Sequence, residues 1–265
     1  MKLEYDWLYA FHERFRWSPS KDLPPFENLA RDLVDNDLGD ALTALAVTEF
    51  SSIAAILDLV NIFSDDPDVT AWLSIWYSEE VRHHLVLRQI IEVLGRNPQF
   101  EMPAINRPSL GAPKPAATLA VNVLSEIRTC WLYAGLALQC QEPILKSLLT
   151  HIAGDEGRHA KGFAHFARLY VGRNPDFAIP CILRVGELWL DPKLGLSDAN
   201  PAAENYQNRQ TADEMSVLHA RYVDRKREEE AVFRSMSEIC GIKLESHKDF
   251  TLELAKLRQP LKRGA

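Results

Sequence analysis

Glu79-Glu80-Val81-Arg82-His83 and Asp155-Glu156-Gly157-Arg158-His159 are two copies of one pattern, an acid followed by Glu-x-x-His, in a chain of 265 residues. Each copy lies in a long apolar stretch with the 3.6-residue period of an amphipathic helix. Residues three apart share a helix face, so the glutamate and the histidine of each copy can bind the same ion. The two segments therefore predict paired metal ligands on two helices.

Two solitary glutamates, Glu49 and Glu126, precede these copies at nearly equal distances. Glu49 lies 31 residues before Glu80, and Glu126 lies 30 residues before Glu156. Two single glutamates and two Glu-x-x-His pairs on four helices form the ligand pattern of a carboxylate-bridged di-metal site in a four-helix bundle. One such pair alone would more often be a rim glutamate and a core histidine, but the duplication favours metal binding. The predicted ligands are Glu49, Glu80, His83, Glu126, Glu156 and His159.

The register of the first copy has alternatives, because Glu79 and His84 flank the chosen pair and His84 is also one turn from Glu80. The second copy has no second histidine, so it fixes the pair as Glu80 and His83. Four other residues of the two copies are then predicted to orient the ligands: Glu79, Asp155, Arg82 and Arg158.

The donor set indicates which metals fit. Four carboxylates and two imidazoles suit redox iron or manganese better than zinc, which prefers fewer and softer donors. Burying four carboxylates together would cost several kcal/mol for each. Two cations would largely offset that cost, so the pattern is physically reasonable only with metal.

The periodicity predicts an all-α chain that forms one domain over 1–265, with the bundle core at about 28–170. An aromatic N-terminal helix should end at Trp17-Ser18-Pro19, and a Pro-rich segment from Asn97 to Pro115 should cross the bundle. Bundle helices are expected at about 28–63, 68–94, 115–140 and from Pro143 to about Tyr170. Additional C-terminal helices are expected within about 179–258, near 179–190, 202–240 and 246–258.

A second repeat supports two related helical hairpins. Leu94-Gly95-Arg96-Asn97-Pro98 and Val171-Gly172-Arg173-Asn174-Pro175 lie 77 residues apart, whereas the Glu-x-x-His copies lie 76 apart. Glycine at a helix end commonly supplies a left-handed cap, and proline soon after prevents continuation. We therefore predict a left-handed cap at each glycine and a pseudo-two-fold axis between the hairpins.

Composition excludes several classes of protein. The chain is 46% hydrophobic and 25% charged, and its net charge of −7 argues against binding nucleic acid. It has no run of about 18 uncharged apolar residues, so no membrane span is expected. Met1–Trp17 lacks the apolar block of a secretory signal. The four cysteines, which lie far apart without a CxxC pair, are expected to be reduced thiols in the cytoplasm: Cys130, Cys140, Cys181 and Cys240.

The motifs resemble those of the soluble, ferritin-like acyl-[acyl carrier protein] desaturases, also called fatty acid desaturases type 2. The matching segments are Trp76-x-x-Glu-Glu-x-Arg-His83, Asp155-Glu-x-Arg-His159 and Trp17-x-Pro-x-x-x-Leu-Pro24. Trp72 and Thr129, the latter three residues after Glu126, also match family residues. The similarity runs from Trp17 to about Tyr170 and is fainter over Phe233 to Leu254. His84 departs from it, because many members have a small residue there.

The resemblance implies a ferritin-like bundle with two iron ions, loaded as Fe2+, that uses O2 and electrons from ferredoxin. The implied reaction removes two hydrogens from an acyl chain carried on acyl carrier protein. By the same resemblance, Trp17, Asp155 and His83 would form the electron route, and Thr129 would help to direct oxygen. A homodimer is implied as well. The short chain without a transit peptide indicates a bacterial cytoplasm.

Two other functions are compatible with a similar iron-binding site. A di-iron hydroxylase or N-oxygenase acting on a carrier-tethered or free metabolite would use the same cofactor, and a ferritin-like protein would only handle iron. An acidic carrier protein would need a basic docking surface. Two clusters are candidates: Arg221, Arg225, Lys226 and Arg227, and Lys256, Arg258, Lys262 and Arg263. For the first cluster the residues favour a solvated helix face with i,i+4 charge pairs.

Overall fold

The computed structural model describes residues 4–98, 100, 114–190 and 209–258. Within these ranges the chain forms eleven α-helices and two short 3₁₀ turns, at Phe26–Asn28 and Arg31–Leu33, and no β-strand. The helices are α1 (Glu4–Phe15), α2 (Pro19–Asp22), α3 (Asn36–Phe50), α4 (Ser52–Ile62), α5 (Pro67–Val93), α6 (Pro115–Gln139), α7 (Pro143–Arg173), α8 (Pro175–Trp189), α9 (Arg209–Tyr222), α10 (Arg225–Cys240) and α11 (His247–Arg258).

The first bundle helix differs from its prediction at its start and in its middle. The expectation of a helix from about residue 28 is wrong, because α3 begins at Asn36, where Asp35 caps it by accepting a 2.7 Å bond from the Leu38 N–H. A break at Ser51 then separates α3 from α4. The Ser51 hydroxyl bonds a carbonyl three residues back, and the Ser52 hydroxyl does the same. Such side-chain bonds compete with the helical ladder.

The other three bundle helices confirm their predictions to within a few residues. The helices α5, α6 and α7 begin at Pro67, Pro115 and Pro143, and proline is tolerated at this position because its missing N–H has no helical partner there. Asp66 and Glu142 cap α5 and α7 by accepting bonds from backbone N–H groups. The helix α3 packs on α5, and α6 packs on α7, which gives the two expected hairpins.

The two predicted glycine caps differ. Gly95 has φ +76° and ends α5 in the left-handed conformation, where the Arg96 N–H donates a 2.8 Å bond to the Ile91 carbonyl. The predicted cap at Gly172 is wrong, because α7 continues through it to Arg173. Pro175, which has no N–H to donate, ends α7 and begins α8.

The C-terminal helices also refine the prediction. The helix expected near 179–190 begins earlier, at Pro175, and the segment expected at 202–240 divides into α9 and α10, where Asp224 caps α10. Gly241 ends α10 with φ +66°. Residues 191–208 and most of the Asn97–Pro115 connector lie outside the described residues.

Two apolar cores fill the bundle, one toward each end. One contains Trp72, Leu119 and Phe163, and the C-terminal helices extend it with side chains such as Ile182, Met236 and Phe250. The other contains Leu45, Leu87, Leu136 and Leu149. Along each bundle helix, the predicted ligands fall between the residues of these two cores. The acids and histidines therefore form a polar layer across the middle of the molecule.

One segment of the described chain, Asn36–Ile62, has the length and apolar composition of a membrane-crossing helix. Core helices of globular proteins also meet this criterion. Here the segment comprises α3 and α4, and about half of its most apolar window is buried inside the molecule. It also carries four acidic residues, including Glu49 in the polar layer, so it contains no long uncharged run.

Candidate metal centre

The structure brings all six predicted ligands together in the polar layer. Their donor atoms form two overlapping groups, and within each group all atoms lie within 4.8 Å of one another. All six residues are buried. Glu80 and Glu156 belong to both groups, Glu49 and His83 complete the first, and Glu126 and His159 complete the second. This is the geometry of two adjoining ion positions that share two carboxylates.

The acid before each shared glutamate orients the histidine of the opposite helix. Asp155 on α7 lies 2.9 Å from Nε2 of His83 on α5, and Glu79 on α5 lies 2.9 Å from Nε2 of His159 on α7. In a neutral imidazole, an Nε2–H that donates to a carboxylate leaves Nδ1 as the lone-pair nitrogen. Both Nδ1 atoms are therefore available as metal ligands.

These Nδ1 atoms face the shared and terminal carboxylates. His83 Nδ1 lies 3.2 Å from Glu156 and 3.8 Å from Glu49, and His159 Nδ1 lies 3.0 Å from Glu80 and 3.5 Å from Glu126. Buried polar atoms normally have hydrogen-bond partners. Among the described residues, four buried atoms of the six candidate ligands form no hydrogen bond: Glu80 Oε1, His83 Nδ1, Glu156 Oε1 and His159 Nδ1. Cations between them would satisfy all four, so the residues present fit a pair of metal ions.

Each terminal glutamate is held by one aromatic side chain. The Tyr133 hydroxyl donates a 2.5 Å bond to Glu49 Oε1, and Trp76 Nε1 donates a 3.1 Å bond to Glu126 Oε1. In both cases the other carboxylate oxygen faces the nearby histidine. Burial, and after it the charge of the Glu49 carboxylate, raises the pKa of Tyr133 well above its usual value. The phenol therefore remains protonated and can donate.

Asp155 joins the polar layer to Trp17. Its Oδ2 accepts a 2.7 Å bond from Trp17 Nε1 and a 3.0 Å bond from Arg82, and also contacts His83. Arg158 donates to its other oxygen. The Arg82 guanidinium lies 4.8 Å from the centre of the Trp17 ring. Trp17, Asp155 and His83 therefore form one continuous hydrogen-bonded chain.

Burial and mutual repulsion change the ionisation of the layer. Burial, followed by the carboxylates of Glu156 and Glu49, raises the pKa of Glu80 to about 8. Burial and Glu156 also raise the pKa of Glu126 well above its usual value. Burial opposes charge on His83, but Glu156 and Glu49 overcome this and raise its pKa to about 10. Because metal ligands must be deprotonated, cations bound here would displace these protons.

Two residues considered from the sequence lie outside the two ligand groups. His84, the register alternative, has its Nδ1 3.0 Å from the Ala46 carbonyl and packs beside Phe50, so it joins α5 to α3 as a core histidine. Thr129 is half-buried one turn after Glu126, and its hydroxyl donates a 3.0 Å bond to the Ser125 carbonyl. Its proposed effect on oxygen remains a prediction.

The sequence motifs do not identify His12 and Tyr133, which the structure places at the centre. His12, on α1, is 1% exposed and places its Nδ1 2.8 Å from Glu79. Neither residue belongs to a repeated motif, and their partners lie 67 and 84 residues away along the chain. The only local sign was a polar atom on an otherwise apolar helix face.

The first basic cluster, at 221–227, forms ion pairs with neighbouring acids, which is the arrangement that the sequence favoured. Arg221 lies 2.7 Å from Asp37, and Arg225 and Lys226 pair with acids one turn ahead at 3.4 and 4.0 Å. Arg227 lies 3.4 Å from Asp224. Neighbouring acids thus offset most of the positive charge of this cluster. In the second cluster Lys256 pairs with a glutamate, and the side chains of Arg258, Lys262 and Arg263 lie outside the described part.

No protein-family model matches the chain, and no curated protein matches its sequence. Among solved structures, the chain is similar to a variant of an R2-like ligand-binding oxidase with an aerobically reconstituted Mn/Fe cofactor. The TM-score is 0.55 at 14% identity, and the likeness covers 91% of this chain and 95% of the other. At this identity the likeness concerns the fold, which is all-α and of the ferritin-like four-helix-bundle type.

Proposed function

We propose that the protein is an O2-dependent di-iron oxidoreductase that introduces a double bond into an acyl chain carried on acyl carrier protein. The observation that carries the proposal is the pair of overlapping ligand groups sharing Glu80 and Glu156. The chain from Trp17 through Asp155 to His83 adds a route for electrons. A ferritin-like protein that only handles iron would have no use for this hydrogen-bonded route.

The charge of the layer supports two divalent ions. Four carboxylates carry four negative charges when ionised, and two Fe2+ or Mn2+ ions carry four positive charges. Pairing buried charges in this way offsets a desolvation cost of several kcal/mol for each ion. The oxygen-rich donor set with one imidazole for each ion favours iron or manganese over zinc.

When bound, the two iron ions would supply the redox chemistry that activates O2. In the overall reaction the acyl chain loses two hydrogens, a reductant supplies two electrons, and these with two protons and O2 form two water molecules. The residues of the chain hold the reacting centre in place. Tyr133 and Trp76 fix the terminal carboxylates, Asp155 and Glu79 fix the histidine tautomers, and the two apolar cores exclude water from both ends.

The electron route begins near a surface groove. Arg82 covers one face of the Trp17 ring and also lines an open groove of about 550 Å³ between the segment 19–27 and α5. An electron donor in this groove would contact Arg82, one side chain away from Trp17. The hydrogen bond from Trp17 to Asp155 then continues to His83. We propose a ferredoxin-type donor on the basis of the motif resemblance.

The proposed acyl substrate rests on the motif resemblance. The indole of Trp76, in the segment that resembles the desaturases, holds Glu126, and Trp17 holds Asp155. These tryptophans therefore contribute to the centre itself and not only to the packing. We propose acyl carrier protein as the partner, a homodimer as the assembly and the cytoplasm as the location. Acids pair with the first basic cluster, so an acidic carrier protein that docks there would compete with these ion pairs.

Aerobic turnover read by mass tests the reaction. The iron-loaded protein would be mixed with reduced ferredoxin and a panel of acyl-carrier conjugates of different chain lengths. Desaturation lowers the acyl mass by two hydrogens, whereas hydroxylation or N-oxygenation adds one oxygen atom. Glu126→Ala is the matched control and should give neither product. A product that is one oxygen heavier would replace desaturation with oxygenation.

A further inference from the structure

We propose that His12 on α1 is a positioning residue for the second ion position, acting through Glu79 on the ligand His159. The inference rests on the proposed di-metal function and deepens it. It assigns the N-terminal helix a part in the centre, which the sequence motifs do not suggest.

The two halves of the centre have matching outer contacts. On one side Asp155 contacts His83 and is itself held by Trp17 at 2.7 Å. On the other side Glu79 contacts His159 and is held by His12 at 2.8 Å. His12 therefore occupies the position with respect to Glu79 that Trp17 occupies with respect to Asp155. Both residues come from the N-terminal segment, five residues apart.

The hydrogen bonds define what His12 does. The same oxygen of Glu79, Oε2, lies 2.8 Å from His12 Nδ1 and 2.9 Å from His159 Nε2. An ionised carboxylate only accepts, so both nitrogens must be donors when Glu79 is charged. The bond from His12 thus helps to hold the Glu79 carboxylate where it accepts the Nε2–H of His159.

The surroundings of α1 hold His12 in this place. Leu8, one turn earlier, is fully buried in the first apolar core. The His12 and His159 rings lie nearly parallel, with centroids 6.0 Å apart. Trp7 packs edge-on against His165 of α7, with centroids 4.9 Å apart. The helix is therefore anchored to α7 and to the first apolar core about one turn before the histidine, and His12 is 1% exposed.

The consequence is a chemical difference between the two ion positions. The first position is supported through an indole, which can carry an electron, and the second through an imidazole. Loss of the His12 donor should weaken the second position while leaving the first in place. Removal of such an outer partner typically costs about 10–100-fold in metal affinity.

Three variants isolate the hydrogen bond. His12→Phe keeps a ring of similar size but has no N–H. His12→Asn keeps an N–H donor close to the position of Nδ1. Leu8→Ala loosens the packing of α1 without removing the donor, and serves as the structural control.

Anaerobic Co2+ titration of the metal-free full-length chain, followed by visible absorption and chelator competition, provides the test. We expect two binding steps in the wild type, and in His12→Phe one step weakened about 10–100-fold with an altered spectrum. His12→Asn should restore most of the affinity, and Leu8→Ala should lower thermal stability while retaining both steps.

Three results would overturn the assignment: wild-type binding in His12→Phe, no rescue in His12→Asn, or an equal loss in Leu8→Ala. If His12→Phe does not fold, the comparison of His12→Asn with Leu8→Ala decides in the same way. A wild-type chain that binds no Co2+ would instead remove the proposed function itself.

Discussion

At the scale of single residues, the centre depends on side chains that act across helices. Each histidine points Nδ1 toward the candidate ion positions, and a carboxylate from the opposite helix lies at its Nε2. Each terminal glutamate is in turn held by an aromatic donor. The ligands can therefore keep their orientation before any ion enters, and this preorganisation reduces the cost of binding.

We expect Trp17→Phe to slow steady-state turnover with a protein reductant by about tenfold or more, because phenylalanine cannot donate to Asp155. Metal content should remain close to the wild-type level, because Arg82 and Arg158 still donate to Asp155. Single turnover of chemically pre-reduced protein should change much less than steady-state turnover, since it does not need the route. Equal losses in both assays would indicate that Trp17 serves the structure and not electron transfer.

Tyr133→Phe should weaken the ion position that contains Glu49, because one buried carboxylate oxygen loses its 2.5 Å hydrogen bond. An unsatisfied buried group of this kind costs about 1–3 kcal/mol. Trp76→Phe is the counterpart at Glu126 and should weaken the other position. Stepwise titration with Mn2+ measures both. Identical isotherms in the two variants and the wild type would exclude this orienting role.

The clustering of the six candidate ligands could be predicted because their spacing fixes a helix face. Glu80 and His83 must point the same way on any helix, and their duplication at 156 and 159 selects the register. His12 and Tyr133 could not be predicted in this way. Their partners are distant along the chain, and only the packing of α1 and α6 shows which carboxylate each one meets.

At the scale of helices, the boundaries were predictable where proline or a capping acid lies next to an apolar stripe. The starts of α5 and α7 follow from Pro67 and Pro143. The break at Ser51 was missed because serine is compatible with a helix and its carbonyl bond arises only in the folded chain. At Gly172 a helix end was predicted where the helix continues, since a glycine near a proline does not need to adopt positive φ.

Close packing of α6 against α9 depends on Gly135. A Cβ atom there would lie 2.0 Å from the Tyr222 carbonyl oxygen, so Gly135→Ala should lower the free energy of unfolding by about 1–3 kcal/mol. Gly172→Ala is the control, because nothing lies within 4 Å and alanine favours the helix by up to about 1 kcal/mol. Denaturant unfolding compares the two. A Gly135→Ala variant as stable as the control would contradict this packing.

At the scale of the whole molecule, a layer of buried charge separates two apolar cores. Metal ions that bind this layer in the folded state and not in the unfolded state should stabilise the fold. The gain is about 2.7 kcal/mol for one site when the free metal is at one hundred times its dissociation constant. Thermal unfolding with and without Mn2+ should therefore show a rise in Tm. Glu156→Ala, which removes a shared carboxylate, should show little or no rise.

The most direct test of the account is the metal stoichiometry of the purified chain after anaerobic loading with Fe2+ and removal of unbound metal. The arrangement predicts about two ions for each chain. Glu156→Ala should lose both ions, because its carboxylate belongs to both ligand groups. A well-folded wild-type protein that retains no stoichiometric metal, or a Glu156→Ala variant that retains both ions, would contradict the central claim.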